Sequence, residues 1–302
     1  MSSHEQASRT VPAEGPIHPE TTMGAVSLTV ADLEAADAFY QRAIGLHPLE
    51  RTPGRALLGA APGAPLVELV GDPAAPARPR RSTGLFHLAI LVPDRPELAR
   101  SLRRVLAAGA GFTGASDHLV SEALYLDDPE GNGIEIYRDR PREEWRREGG
   151  QIAMDTLPLD VEGVLGALTE GGADEGMPSG TTMGHVHLQV RDLSEAEDFY
   201  AAALGFEPTV RGYPGALFVS AGGYHHHLGL NTWGTAGAPP PPPGARGLRA
   251  FRVVVPTADQ VSRVADRLEA RGIEASRSDD GLRTTDPAGN AVIVQRREDA
   301  AA

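Results

Sequence analysis

Apolar and polar positions alternate in four short stretches of the chain, and each is followed by apolar residues at helical spacing. The alternating stretches are AVSLTV (25–30), FHLAIL (86–91), HVHLQV (185–190) and AFRVVV (250–255). A period of two predicts a strand with one buried face. After them come LEAADAFYQRAIGL (33–46), PELARSLRRVLAAG (96–109), LSEAEDFYAAALGF (193–206) and ADQVSRVADRLEARG (258–272). These predict helices that close at or next to a glycine, the residue suited to a helix C-terminus. Short strands complete each stretch, ending in PLVELV, GIEIY, HHHLGL and AVIVQ. An Asp-Pro-x-Gly-Asn turn precedes two of these last strands. Each stretch therefore predicts a βαβββ unit.

The units are copies. TTMGAVSLTV (21–30) and TTMGHVHLQV (181–190) differ at few positions, and the match continues through Phe39-Tyr40 and Phe199-Tyr200. GLFHLAILVP (84–93) lies over GLRAFRVVVP (247–256), and DPEGNGIEI (128–136) over DPAGNAVIV (286–294). Internal repetition fixes the organisation before anything else. The units run over 22–72, 83–140, 182–235 and 247–297, as a duplicated pair of pairs. Residues 21–140 form one half and 181–297 the other. Residues 1–20 read as a polar, disordered leader, 141–180 as a charged linker with one short apolar helical stretch, and 298–302 as a tail. Pro239 to Pro243 read as a stiff extended connector between the third and fourth units.

Composition narrows the chemistry. The 302 residues carry a net charge of −13, which argues against a sequence-independent grip on nucleic acid or an anionic membrane. A small molecule is the expected partner. Without cysteine there is no thiolate chemistry, so any metal must be held by histidine and carboxylate. No stretch is apolar enough to span a membrane, and the expected location is cytoplasmic.

These units, the Phe-Tyr pair late in the first helix of each half and the DPxGNxIE turn resemble the vicinal oxygen chelate superfamily of glyoxalases, extradiol dioxygenases and resistance proteins. GLFHLAILVP, the stretch from Asp117 to Trp145 and SAGGYHHHLGLNTWGTAGAPPPP are similar to its four-module catechol 2,3-dioxygenase-like group. The resemblance implies an α+β fold in which βαβββ modules pair into two cup-shaped, incomplete-barrel mixed sheets, with a metal held by residues of the first and last strands. At those positions unit one has Ser27 and Glu68, unit two His87 and Glu135, unit three His187 and Leu228, and unit four Ala250 and Ile293. The implied ligands are His87, His187 and Glu135, a two-histidine, one-carboxylate set suited to Fe(II), with Mn(II) as the alternative. That set requires unit two to face unit three.

The expected catalytic groups lie in GYHHHLGLNTW (223–233). On a regular strand His226 shares a face with Leu228, and a one-residue slip would give that place to His225 and His227 instead. His226, His227 and Tyr224 are the candidates, with Tyr125 a further hydrogen-bond donor and His118 at the cup entrance. The implied activity is extradiol cleavage of a small aromatic diol by O2. A glyoxalase-type isomerase or lyase would usually want a fourth ligand where Leu228 stands, and a non-catalytic binding or resistance protein would not need the three ligands together. Assembly as a homo-oligomer is left open, since a cup within one chain needs no second subunit.

Overall fold

The computed structural model describes residues 15–60, 65–168 and 176–297. Unit one comprises β1 (Thr22–Val30), α1 (Leu33–Phe39), β2 (His47–Thr52), β3 (Arg55–Gly59) and β4 (Pro65–Gly71). Unit two comprises β5 (Gly84–Leu91), α2 (Arg95–Ala107), β6 (Gly114–Asp117), β7 (Ser121–Asp127) and β8 (Gly133–Asp139). A connector follows, with β9 (Arg147–Glu148), β10 (Gln151–Ile152), β11 (Leu157–Pro158) and α3 (Val161–Gly166). Unit three has β12 (Thr182–Gln189), α4 (Leu193–Glu197), β13 (Glu207–Val210), β14 (Ala216–Ser220) and β15 (Leu228–Asn231). Unit four has β16 (Gly247–Val255), α5 (Ala258–Ala270), β17 (Ala275–Ser278), β18 (Gly281–Thr285) and β19 (Ala291–Arg296).

The helices of the four units start where a side chain satisfies an orphan backbone donor. Asp32, Asp94, Asp192 and Thr257 accept from the backbone N–H three residues on. At the Phe-Tyr pairs the winding of α1 and α4 loosens into π-helical turns at Tyr40–Ile44 and Asp198–Ala203. The first of these turns ends at Gly45, whose φ of 91° is open to glycine at no steric cost.

Within each unit the first and last strands pair in parallel, and the remaining strands add antiparallel. Units then join across halves. One sheet runs β17-β18-β19-β16-β1-β4-β3-β2, and the other β11-β6-β7-β8-β5-β12-β15-β14-β13. Unit two thus meets unit three along an antiparallel β5–β12 seam, the pairing that the ligand set requires, and unit one meets unit four along β1–β16.

The duplicated motifs tie the units the other way. The Asp128 carboxylate accepts from the backbone N–H of Glu130 and Asn132, the Asn132 amide and, across to unit one, the Tyr40 hydroxyl at 3.2 Å. Asp286 repeats this with Ala288, Asn290 and the Tyr200 hydroxyl of unit three at 2.8 Å. Buried Arg267 adds donors to the Ala203 and Leu204 carbonyls at the end of the π turn. One apolar core, including Tyr40, Leu88, Tyr200 and Phe251, draws on all four units.

Two stretches depart from the expected organisation. The last residues of the expected leader are packed, with Ile17 buried and its N–H donating to the Gly205 carbonyl; residues 1–14 and 298–302 lie outside the described residues. The expected linker is partly built into the fold. Its β11 extends the β6 edge, Ile152 packs with Val120, Val210 and Phe218, and Trp145 and Met154 cover that cluster. Pro239 is docked as well, its carbonyl accepting from Thr83 N–H.

Tyr200→Phe removes a short buried bond and leaves Asp286 under-satisfied, at a cost of about 1–3 kcal/mol. Urea or thermal unfolding should read that loss, with a smaller one for Tyr40→Phe because its bond is longer.

Candidate metal centre

The β5–β12 seam and the β5–β8 pair set a row of residues across the second sheet. His185 on β12 stands opposite Ala89 on β5, Ala89 opposite Glu135 on β8, and Glu135 opposite Tyr125 on β7. Directly paired residues point to the same face, so His185 and Glu135 meet above the Ala89 methyl group. His87 lies two residues before Ala89 on that face. His87 Nε2 and His185 Nε2 are each 3.0 Å from Glu135 Oε2 and 3.4 Å from one another, and all three residues are buried.

These separations fit a bound cation. Nitrogen and oxygen ligands at about 2.1 Å in cis positions of an octahedron are about 3.0 Å apart. Two imidazoles and one carboxylate on one side of an ion have the composition of the facial triad. Electrostatics favour the same state. Burial acts to raise the Glu135 carboxyl, but the charges and hydrogen bonds of His185 and His87 hold it well below the usual carboxylate range. Burial lowers His185 to about 4, the nearby Glu135 only partly opposing it. Neutral imidazole and ionised carboxylate are the forms that ligate.

His185 stands where His187 was expected. His187 pairs directly with His87 across the seam, ring centroids 4.9 Å apart, yet its nitrogens do not join the cluster, and its buried Nε2 has no hydrogen-bond partner. The two histidines are two apart on one strand and share a face, so alternation cannot separate them. The repeat pointed to His187 through Ser27, whereas laying FHLAILV over GHVHLQV puts His87 on His185 and Val92 on Val190, a signal present in the sequence. Gly184, just before His185, has no room for a Cβ against the Tyr137 hydroxyl.

The cluster opens into a cavity of about 460 Å³ lined by His187, His226, Tyr125, His118, Phe86 and Trp233 among others. Met154, Asp155 and Thr156 of the connector form part of its wall. The His118 ring donates from Nδ1 to the Asp155 carbonyl at 2.8 Å and accepts from the Tyr125 hydroxyl at 2.7 Å. Burial, then the Glu135 charge, raises the Tyr125 hydroxyl well above its ordinary value.

Of the three expected catalytic groups, only His226 lines this cavity, its ring 4.1 Å from that of His185. Residues 225–227 precede β15 rather than lying in it, so strict strand alternation does not apply to them. His227 and Tyr224 instead line a wider cleft of about 1540 Å³ between the sheets. His227 Nδ1 accepts from Ala221 N–H at 3.2 Å, and the Tyr224 hydroxyl donates to Asp139.

The first sheet has no such cluster among the described residues. Glu68, the counterpart of Glu135 in unit one, is bonded to Arg55 at 2.5 Å and lies 3.8 Å from Arg252. Burial acts to raise its carboxyl, but Arg55, Ser27 and Arg252 bring it below its ordinary value.

Residues 22–136 and 182–294 match the Glyoxalase/Bleomycin resistance protein/Dioxygenase superfamily, and the chain belongs to that family. It is 45% identical over 285 residues, 92% of this chain and 98% of the relative, to the catechol-2,3-dioxygenase of Bacillus subtilis (strain 168). Among solved structures, glyoxalase I from Zea mays aligns with a TM-score of 0.57 at 17% identity, over 91% of this chain and 92% of that one. The cppA protein of Streptococcus pneumoniae TIGR4 aligns at 0.54 and 12% identity, over 93% and 99%. These two likenesses concern the fold alone. No helix among the described residues is long and apolar enough to cross a membrane.

His185→Ala should abolish tight binding of one divalent ion, and His187→Ala should retain it, as read by metal content after dialysis or by calorimetry. Stability should also fall in acid. His227 is pushed down to about 3, first by burial, so the folded protein refuses a proton that the unfolded chain takes up near pH 6.5. Its contribution is complete above pH 6.5 and is lost as pH falls toward 3, at up to about 1.4 kcal/mol per pH unit. Urea unfolding of His227→Gln should show a flatter pH dependence over that window.

Proposed function

We propose that the protein is an extradiol ring-cleaving dioxygenase acting on a small catechol-type diol at a mononuclear Fe(II) centre, Mn(II) being the alternative ion. The observation that carries the reading is the buried His87, Glu135 and His185 cluster at the end of a cavity large enough to admit an aromatic ring. The name of the relative at 45% identity supports the same reaction class. Bound iron would supply the electronic link between diol and O2, and both oxygen atoms enter the product without an external reductant.

The side chains supply binding, orientation and proton handling. His87, Glu135 and His185 would hold the ion, and the cavity they open into would take the reactants. Phe86 and Trp233, 5.5 Å apart, offer aromatic faces to the ring, and the 38% exposure of each puts them at the mouth. His226 is the candidate to take a proton from one diol hydroxyl and return it later, being neutral because burial, then the neighbouring His185, lowers it well below its ordinary range. Tyr125 lines the cavity with its one hydroxyl proton donated to His118, so its oxygen is available there as an acceptor. Leu228 pairs with Val186 and faces the core, whereas Gly229 stands beside His187 on the site's face, and a glycine without a side chain counts against a four-ligand isomerase centre.

The test uses protein loaded with Fe(II) without air, then mixed with catechol in aerated buffer. O2 uptake should match the yellow ring-fission product mole for mole, and both should vanish in His185→Ala. His226→Ala should keep its metal and lose about 100-fold or more in kcat. Tightly bound metal with no O2 uptake would move the reading to an isomerase or lyase.

A further inference from the structure

Behind His226 a buried hydrogen-bonded chain leads away from the cavity. His226 Nδ1 is 2.7 Å from His225 Nδ1, and His225 Nε2 is 2.8 Å from Asp139 Oδ1. His225 is fully buried, and Asp139, at the end of β8, reaches partial exposure. The same Asp139 oxygen accepts from the Tyr224 hydroxyl at 3.2 Å, and Tyr224 is 2.7 Å from the Tyr137 hydroxyl. Tyr137 in turn packs its ring 4.9 Å from that of His185.

With His225 neutral, the donors and acceptors of this chain admit one order. A carboxylate only accepts, so His225 must carry its proton on Nε2. A neutral His225 then has a bare Nδ1, which can only accept. The 2.7 Å contact therefore requires the proton on His226 Nδ1, leaving His226 Nε2 unprotonated as the ring nitrogen not engaged by the chain. Among the described residues this contact is the only hydrogen bond of His226.

We infer that Asp139 is a positioning residue which, acting through His225, selects the tautomer that gives His226 an accepting Nε2 toward the cavity. A histidine without such a partner distributes its proton between both nitrogens, and in one of those forms it cannot accept from a diol. The role for His226 rests on the dioxygenase reading; the tautomer does not.

The experiment is two-bond proton–nitrogen NMR on histidine-labelled, Zn(II)-loaded protein, alongside kinetics of the Fe(II) enzyme. Wild type should show His226 protonated on Nδ1. Asp139→Asn, whose amide can donate as well as accept, should show a mixture or the opposite tautomer. It should keep its metal and lose about 10- to 100-fold in kcat, with KM changing less. His226 protonated on Nε2 in wild type overturns the inference even if no variant folds. An Asp139→Asn protein with the wild-type tautomer and kcat overturns it as well. If the tautomers behave as stated but neither enzyme takes up O2, the failure belongs to the dioxygenase reading.

Discussion

Everything at the candidate metal centre depends on the antiparallel seam between β5 and β12. Residues far apart in the sequence are neighbours only because these strands pair, and the register decides which histidine stands opposite Ala89. Adjacent strands are about 4.8 Å apart, so His185 and Glu135 sit on backbones about 10 Å apart and bridge that span with their side chains. The residue between them must therefore be small. Ala89 is as much a part of the centre as the three donors, though it supplies no ligand atom.

Much of this was legible in the sequence because a repeat is a strong signal. Four βαβββ units, their boundaries and the demand that unit two face unit three follow from matching segments and from where ligand types survive. His87 and Glu135 follow too. His185 did not, because the repeat compared unit three with unit one, and unit one has Ala25 and Ser27 at the two places in question. Unit one has no histidine at either place and cannot tell the two apart; unit two, with His87, can.

Other departures have different physical causes. Face assignment in the His225 to His227 run assumed a regular strand, but the strand starts at Leu228, after positive-φ glycines at 222 and 223. The connector read as a linker because Trp145, Ile152 and Met154 are isolated apolar residues in charged surroundings. Periodicity sees runs, whereas a cavity wall needs only a few side chains at the right depth. The two sheets also answer one electrostatic demand differently. A carboxylate drawn out of water needs partners: the Arg55 and Arg252 guanidinium groups serve part-buried Glu68, and the His87 and His185 imidazoles surround buried Glu135.

The Tyr–Asp pairs give the architecture a further property. Unit one is joined to unit four, and two to three, by strand seams; Tyr40 clasps unit one to two, and Tyr200 clasps three to four. The links close into a ring with no terminal unit. An open array of repeats can fray from its ends one repeat at a time. A closed circuit has no end from which to fray, so the duplicated chain is built to lose its structure in a single cooperative step.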